Sequence, residues 1–178
     1  MRVFVALELP ENIKNEIIKL QREIEKLNLM KGKLIEKENL HLTLKFLGEI
    51  GNDKVREIEN KLKKIRFNKF EVELDKIGVF SENFIRIVWV SLSGEKLFEL
   101  QKAIDDILES IFDREERFMA HITVARPKSV NNKSKFIEEI KKVKFDNKKF
   151  LVDRVYLKSS ELKPQGPVYA NLFKLDLV

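Results

Sequence analysis

One short motif occurs twice in this chain of 178 residues, at positions 80 residues apart. His41 and His121 are the only two histidines, Thr43 and Thr123 are the only two threonines, and each threonine follows a histidine by two positions. Both motifs lie in apolar stretches with the alternation of a β-strand, which read HLTLKFLGE and HITVAR. The repeat predicts two similar lobes related by an approximate two-fold, each of which contributes one such strand.

The segments around the two motifs predict an α+β fold. Each motif strand follows a long amphipathic helix and precedes a shorter helix and a pair of strands. The predicted helices cover residues 11–28, 52–65, 94–112 and 132–142, and the predicted strands cover 2–9, 40–47, 69–80, 84–92, 121–126, 149–158 and 167–177. Runs of adjacent strands favour mainly antiparallel sheets, whereas a doubly wound sheet needs strict strand–helix alternation and a glycine-rich phosphate turn. No linker interrupts the chain, so we expect residues 1–178 to form a single two-lobed domain.

Composition excludes several classes of protein. The chain has no cysteine, which excludes disulfides and zinc sites built on cysteine. The opening MRVFVALELP is short and carries Glu8, so it predicts a first strand and not a signal peptide, and no apolar run is long enough for a membrane span. We therefore expect a soluble, cytoplasmic protein. The net charge of +6 favours a polyanionic partner such as nucleic acid, although lysine-rich solvated faces would give the same balance.

The side chains of the motifs suit acid–base chemistry on a phosphate group. In a strand, residues i and i+2 share a face, so each histidine points the same way as its threonine, over an apolar back. Two such strands that face the same cleft would place two imidazoles and two hydroxyls around one small anion. Because imidazole titrates near neutrality, one ring can act as the base and the other as the acid that phosphodiester cleavage requires. The threonine hydroxyls can donate hydrogen bonds to the non-bridging oxygens, and the arrangement requires neither a metal nor a cofactor.

Three other interpretations of the motifs compete with this one. A single His-x-Thr in a strand is more often a hydrogen-bonded structural histidine, but two copies that use every histidine and threonine favour function. A metal site would need carboxylates in addition to two distant histidines, and threonine stands where a carboxylate would be expected. A serine nucleophile would need a G-x-S-x-G turn, which the sequence lacks.

The motifs and their flanks resemble a known family. The segments HLTL and HITV match the paired His-x-Thr-x motifs of the two-histidine phosphoesterases. The opening MRVFVALELP, the flank KFLGE and the tail SSELKPQGPVYANL at 159–172 are similar to the RNA 2′,3′-cyclic phosphodiesterases, also called 2′-5′ RNA ligases. The resemblance implies a bilobal α+β fold with two antiparallel sheets, flanking helices and a central cleft that carries one motif on each wall.

The resemblance also implies an activity and roles for the two histidines. The activity is metal-free hydrolysis of RNA 2′,3′-cyclic phosphate ends to 2′-phosphates, with reversible 2′-5′ joining of RNA ends and with transfer RNA fragments among the substrates. His41 would be the proton donor to the leaving 3′ oxygen, and His121 would be the proton acceptor that activates water. Alternative activities are a phosphoesterase on small cyclic nucleotides or 2′-5′ oligonucleotides, and an RNA-end-binding module without catalysis.

Further residues are candidates for substrate contact or for packing. Lys45 continues the face of His41 and could meet phosphate, and alternation places Phe46 in the core. Strict alternation points Arg126 away from His121, but the strand ends there and the resemblance favours a role in substrate binding. Tyr169 could stack on a base or ribose, whereas Trp89, in an alternating strand, is expected in the core.

Overall fold

The computed structural model describes residues 1–178 and contains nine strands and four helices. The strands are β1 (Arg2–Glu8), β2 (Met30–Leu34), β3 (His41–Glu49), β4 (Phe70–Val79), β5 (Val88–Ser93), β6 (His121–Val130), β7 (Lys149–Val152), β8 (Arg154–Lys163) and β9 (Gly166–Asp176). The helices are α1 (Glu11–Lys26), α2 (Asn52–Leu62), α3 (Glu95–Leu108) and α4 (Lys133–Lys142). None of the four is long and apolar enough to span a membrane.

The strands form one antiparallel sheet with two equivalent halves. Its order is β7-β4-β5-β6-β3-β1-β8-β9, with β2 added beside β6. The two motif strands, β6 and β3, are neighbours at the centre, and a single antiparallel pair, Leu42 with Ile122, joins them. If β6 is exchanged with β3, β5 with β1, β4 with β8 and β7 with β9, the same order of these eight strands is obtained, read from the other end. The α+β class is therefore confirmed, and the two expected sheets are the halves of one sheet.

The helices cover one face of the sheet and exchange places between its halves. Helix α1 precedes the first motif in the chain but packs behind β6, and α3 packs behind β3. Each helix buries an apolar stripe at the spacing of the helical repeat. The stripes are Ile13, Ile17, Leu20 and Ile24 in α1, Val55, Ile58 and Leu62 in α2, Leu97, Leu100, Ile104 and Leu108 in α3, and Phe136 and Ile140 in α4. One hydrophobic core of 40 buried residues results, so both motif strands rest on the same packed layer.

Three elements differ from the sequence-based expectation. Strand β2 was not predicted, because its residues MKGKL are mostly exposed and show no apolar alternation. The single strand expected at 149–158 is two strands, β7 and β8, which meet at Asp153 and pair with opposite ends of the sheet order. Strand β6 does not end before Pro127 but continues to Val130; Pro127 lies opposite Gly32, beside an irregularity in the pairing with β2.

Candidate functional site

The two motifs project from the same face of the sheet, which we call the front face. Leu42 and Ile122, the residues between histidine and threonine in each motif, are fully buried on the opposite, helix-covered back face. Since these two residues pair in antiparallel register, His41 lies opposite the strand position of Thr123, and Thr43 lies opposite that of His121. The four polar side chains thus form one group of two imidazoles and two hydroxyls, as the sequence predicted.

Both imidazoles are oriented by the same backbone contact. His41 Nδ1 lies 2.7 Å from the carbonyl oxygen of Asn39, and His121 Nδ1 lies 2.8 Å from that of Met119. A carbonyl oxygen can only accept, so each Nδ1 carries the hydrogen and each Nε2 is left for chemistry. The Nε2 of His41 lies 3.0 Å from Thr43 Oγ1, whose hydroxyl donates to it when the ring is neutral. His121 Nε2 makes no hydrogen bond within the protein.

Burial keeps His41 neutral in the free protein. It lowers the pKa of the imidazole from 6.5 to about 4, against the opposing effect of the hydrogen bond to the Asn39 carbonyl. The positive charges of Lys158 and Arg126 contribute to this decrease of the pKa in the same direction as burial. An anion bound beside the ring would oppose those charges and raise the pKa of His41 again.

A β-bulge interrupts the alternation of each motif strand. In β3, Thr43 pairs with Ala6 but Lys45 pairs with Val5, so Leu44 is an extra residue. In β6, Thr123 pairs with Trp89 but Ala125 pairs with Val88, so Val124 is extra. The bulges occur at the same position of the two motifs, three residues after the histidine.

The bulges reverse the side-chain directions that strict alternation predicted for three residues. Phe46, expected in the core, lies on the front face with 70% of its surface exposed. Arg126 is exposed on the front face, because the bulge turns it back to the side of His121. Lys45, expected beside the phosphate, is instead buried, with 4% of its surface exposed. Its predicted contact with phosphate is wrong.

Buried glutamines hold the two bulges. The side-chain amide of Gln21 in α1 donates to the carbonyl oxygens of Val124 at 2.8 Å and Ile35 at 2.9 Å. The amide of Gln101 in α3 donates to the carbonyl oxygen of Leu44 at 3.5 Å. Sequence reasoning missed both residues, although each glutamine follows a leucine and precedes its motif histidine by the same 20 positions, within the 80-residue repeat.

Lys45 belongs to a buried network that anchors the segment before β6. Its Nζ lies 2.5 Å from Asp105 Oδ1 and donates to the carbonyl oxygen of Asp113 at 2.6 Å. Asp105 also accepts from the Gln101 amide and from the backbone N–H of Glu115. Burial raises the pKa of the Asp105 carboxyl, but the hydrogen bond from Lys45 and those from its other partners outweigh it and hold the pKa below the ordinary value. The network therefore joins the His41 strand to the segment that leads to His121.

Each histidine packs against the edge of an aromatic ring. Tyr169 in β9 lies 5.1 Å from His41, centre to centre, at an angle of 84°, and Phe4 also contacts that imidazole. Phe80, just after β4, lies 4.9 Å from His121 at 85°. Trp89, expected in the core, is a half-buried front-face residue that pairs with Thr123 and packs on Phe80. Tyr169 thus lies beside His41, and its contact with a base or ribose stays a prediction, while Phe80 carried no recognisable signal in the sequence.

A charged cluster completes the His41 half of the front face. Lys158 in β8, almost fully buried, donates to the carboxylate of Glu8 and to Asn171 Oδ1, the latter at 2.6 Å. Glu8 pairs with His41 across β1 and β3. No group of three or more His, Asp or Glu side chains is arranged to hold a metal ion.

The front face thus carries two imidazoles and two hydroxyls, a set of groups able to supply a base, an acid and hydrogen-bond donors to one phosphate group, as in phosphoester-processing proteins. The model of the LigT-like phosphoesterase family matches residues 7–89 and 90–169, one match for each half of the sequence. The chain belongs to that family.

Relatives and solved structures agree with the family assignment. The chain is 40% identical over 173 residues to the RNA 2′,3′-cyclic phosphodiesterase of Methanocaldococcus jannaschii, with 95% of this chain and 96% of the relative covered. It is 33% identical over 178 residues to the protein of the same name from Archaeoglobus fulgidus, with 97% and 98% covered. A crystal structure of a protein from Thermus thermophilus superposes with a TM-score of 0.81 at 26% identity, over 99% of this chain and 98% of the other. The fold of Escherichia coli LigT, at 24% identity, superposes with a TM-score of 0.81 over 99% and 96% of the two chains.

Proposed function

We propose that this phosphoesterase hydrolyses 2′,3′-cyclic phosphate ends of RNA to 2′-phosphates by acid–base catalysis with His41 and His121. The single observation that supports it most is the matched orientation of the two rings. Both Nδ1 atoms are held by backbone carbonyls, so both Nε2 atoms are available on one face. The relatives named RNA 2′,3′-cyclic phosphodiesterase, up to 40% identical, supply the substrate class.

In the proposed reaction the two imidazoles exchange protons with the attacking and leaving oxygens. His121 takes a proton from water through its free Nε2 as the water oxygen bonds to phosphorus. The bond from phosphorus to the 3′ oxygen breaks, and protonated His41 gives its Nε2 proton to that oxygen. The product keeps the phosphate on the 2′ oxygen. His41 must gain a proton when substrate binds, and the negative phosphate beside the ring favours that gain.

The threonines and the neighbouring side chains bind the substrate in this proposal. When His41 is protonated, its Nε2 no longer accepts from Thr43, which frees the threonine hydroxyl to donate to a non-bridging phosphate oxygen while the Nε2 hydrogen faces the 3′ oxygen. The Thr123 hydroxyl, opposite His41, donates to another non-bridging oxygen, and Arg126 adds a positive charge on the same face. The ribose and base of the terminal nucleotide lie against the aromatic rings of Tyr169 and Phe46.

The same geometry supports narrower assignments. An RNA 5′-hydroxyl in place of water would give up its proton to His121 and bond to phosphorus as the bond to the 3′ oxygen breaks, which joins two ends through a 2′-5′ linkage. We further propose fragments of transfer RNA that end in cyclic phosphate as physiological substrates, and the cytoplasm as the site of action. Because α1 and α3 pack behind the opposite motif strands, residues 1–178 act as one functional unit.

The test is hydrolysis of an RNA oligonucleotide that ends in a 2′,3′-cyclic phosphate, in the presence of excess EDTA. We expect conversion to the 2′-phosphate only, since the proposed steps use imidazoles and hydroxyls alone. His41→Ala and His121→Ala proteins with wild-type unfolding curves should be nearly inactive. A 3′-phosphate product, or activity that EDTA abolishes and Zn²⁺ or Mn²⁺ restores, would contradict the proposal.

A further inference from the structure

Six basic side chains gather at the end of the front face beyond Arg126. They come from four elements of the chain. We call this set the basic strip; it consists of Lys31 and Lys33 in β2, Arg86 in the β4–β5 loop, Arg126 and Lys128 in β6, and Lys133 at the start of α4. All six are exposed.

Backbone pairing and two side-chain contacts bring the strip together. Lys33 pairs with Arg126 across β2 and β6, so the two side chains share the front face. The Arg86 guanidinium donates to the carbonyl oxygen of Lys128, which ties the β4–β5 loop to the end of β6. Lys133 Nζ donates to the carbonyl oxygen of Asn83 in the same loop at 2.5 Å. These contacts orient the cations without neutralising them.

The charges of the strip are uncompensated. Twenty contacts between basic groups and carboxylates lie within 4.0 Å in this protein, and none of them involves a strip residue. The opposite end of the histidine pair differs, because there Arg2 pairs with Glu49 and Lys45 with Asp105. A polyanionic chain that extends out of the site is therefore attracted toward the strip and not toward the far end of β3.

An exposed aromatic ring adjoins the cations. Phe84 has 60% of its surface exposed, and the guanidinium of Arg86 lies 4.2 Å above its ring centre. A flat ring stacked with a guanidinium beside unpaired lysines is the combination with which proteins bind single-stranded nucleic acid, through stacking on bases and attraction to phosphates. A double-stranded ligand would not offer its bases to Phe84.

We infer that the basic strip binds the RNA segment on the 5′ side of the cyclic phosphate end, as a single strand. The inference rests on the proposed function, in which His41 protonates the 3′ oxygen and the terminal ribose lies on the His41 side. Arg126 lies close enough to His41 and Tyr169 for its charge to act on both: it adds to the burial that lowers the pKa of His41 and partly opposes the burial that raises the pKa of Tyr169. The next phosphates along the strand then reach Lys33, Lys128 and Arg86, and an upstream base stacks on Phe84.

The experiment compares substrates with and without upstream phosphates. The substrates are adenosine 2′,3′-cyclic monophosphate and a hexanucleotide that ends in the same group. The strip variant is Lys33→Gln/Lys128→Gln, and the matched control is Lys64→Gln/Lys69→Gln, which removes two exposed cations that are likewise free of ion pairs. We expect the strip variant to lose roughly tenfold in kcat/KM on the hexanucleotide and to flatten its salt dependence by a log–log slope of about 1.4, two single-strand phosphate contacts. Both variants should match the wild type on the mononucleotide.

Equal losses of kcat/KM on both substrates, or an equal loss in the control variant, would contradict the inference that the basic strip binds RNA. Binding of a fluorescein-labelled hexanucleotide 2′-phosphate, followed by anisotropy, separates this inference from the proposed function because it requires no turnover. If the wild-type protein binds this RNA through the strip but hydrolyses neither substrate, the proposed function is contradicted and the inference about RNA binding is supported. Unchanged RNA affinity in both the strip variant and Phe84→Ala would overturn the strip alone.

Discussion

The side-chain amide of Gln21, on helix α1, donates a 2.8 Å hydrogen bond to the carbonyl oxygen of Val124, the extra residue of the β6 bulge. Gln21 is 2% exposed, so this hydrogen bond is shielded from solvent. We expect Gln21→Met to remove a donor from the Ile35 and Val124 carbonyl oxygens, of which the latter keeps the Ile35 N–H, and to lower the free energy of unfolding by about 1–3 kcal/mol. Because the bulge turns Arg126 toward the site, KM for the cyclic phosphate should rise more than kcat falls. Urea unfolding and steady-state kinetics measure the two effects.

A double-mutant cycle distinguishes this positioning role from simple destabilisation. If Gln21 acts through Arg126, the rise in KM from Gln21→Met should largely disappear in an Arg126→Gln background. Additive effects on KM would show that the glutamine supports only the fold. Lys19→Met, an exposed change on the same helix, is the control for both measurements.

The bulges also mark where sequence reasoning was sufficient and where it was not. The strand pattern around His41 and His121 correctly places each histidine on one face with its threonine, because alternation holds from the histidine to the following apolar residue. One inserted residue then reverses the parity, so Phe46 and Lys45 were assigned to the wrong faces. A bulge is specified by contacts such as that of Gln21, which lies about 100 residues away along the chain. The local hydrophobic pattern of a strand contains no information about such a contact.

The overall α+β class was predictable for a different reason. Helical stripes such as that of α3 and alternating strands such as β5 are local patterns, and each survives in the structure. The joining of the halves into one sheet depends on the single pair of Leu42 with Ile122. Neither residue differs from an ordinary core position in the sequence, so that pairing could not be predicted.

The Lys45–Asp105 pair should matter for stability and not for phosphate binding. Lys45→Met leaves the buried Asp105 carboxylate without its cation, which should cost about 3–5 kcal/mol in the free energy of unfolding. Lys45→Met/Asp105→Asn should recover part of that loss, because the charge is removed from both sides. KM of the folded double variant should stay near that of the wild type. A large rise in KM with unchanged unfolding curves would indicate that Lys45 binds phosphate.

His41 should make the folded state less stable at acidic pH. The unfolded chain takes up the imidazole proton near pH 6.5, whereas the folded protein does so only at about pH 4. Stability contributed by the neutral ring is therefore complete above pH 6.5 and falls by about 3 kcal/mol as pH drops to 4. The difference in unfolding free energy between wild type and His41→Gln, measured by urea titration across that range, should change by this amount. A difference independent of pH would contradict the pKa shift.

Bound phosphate should reverse the shift of His41. Adenosine 2′-monophosphate, an analogue of the proposed product, brings negative charge next to the imidazole and should raise its pKa above the value of about 4 in the free protein. NMR titration of the His41 ring with and without the nucleotide measures the change. If the nucleotide does not change the pKa of His41, substrate binding cannot be what protonates this ring, and its proposed role as the acid is contradicted.

Thr43 and Thr123 should act at the chemical step. Valine keeps the shape of threonine but has no hydroxyl, so Thr43→Val and Thr123→Val should each lower kcat by roughly 10²- to 10³-fold, as loss of other oxyanion donors does. Serine at either position should retain much of the activity because it keeps the donor. Single-turnover rates on a cyclic-phosphate RNA test this, with unfolding curves as the control. Wild-type rates in both valine variants would place the hydroxyls away from the reacting oxygens.

The last prediction separates the roles of His41 and His121 by the leaving group. An alcohol such as the ribose 3′ oxygen needs a proton to depart, whereas a nitrophenolate leaves without one. His41→Ala should therefore be largely rescued on a nitrophenyl phosphodiester, relative to its loss on the cyclic phosphate. His121→Ala should remain impaired on both, because water still needs its base. Rescue of His121→Ala instead would exchange the two assignments. Equal impairment of both variants on both substrates would mean that the imidazoles do not divide into an acid and a base.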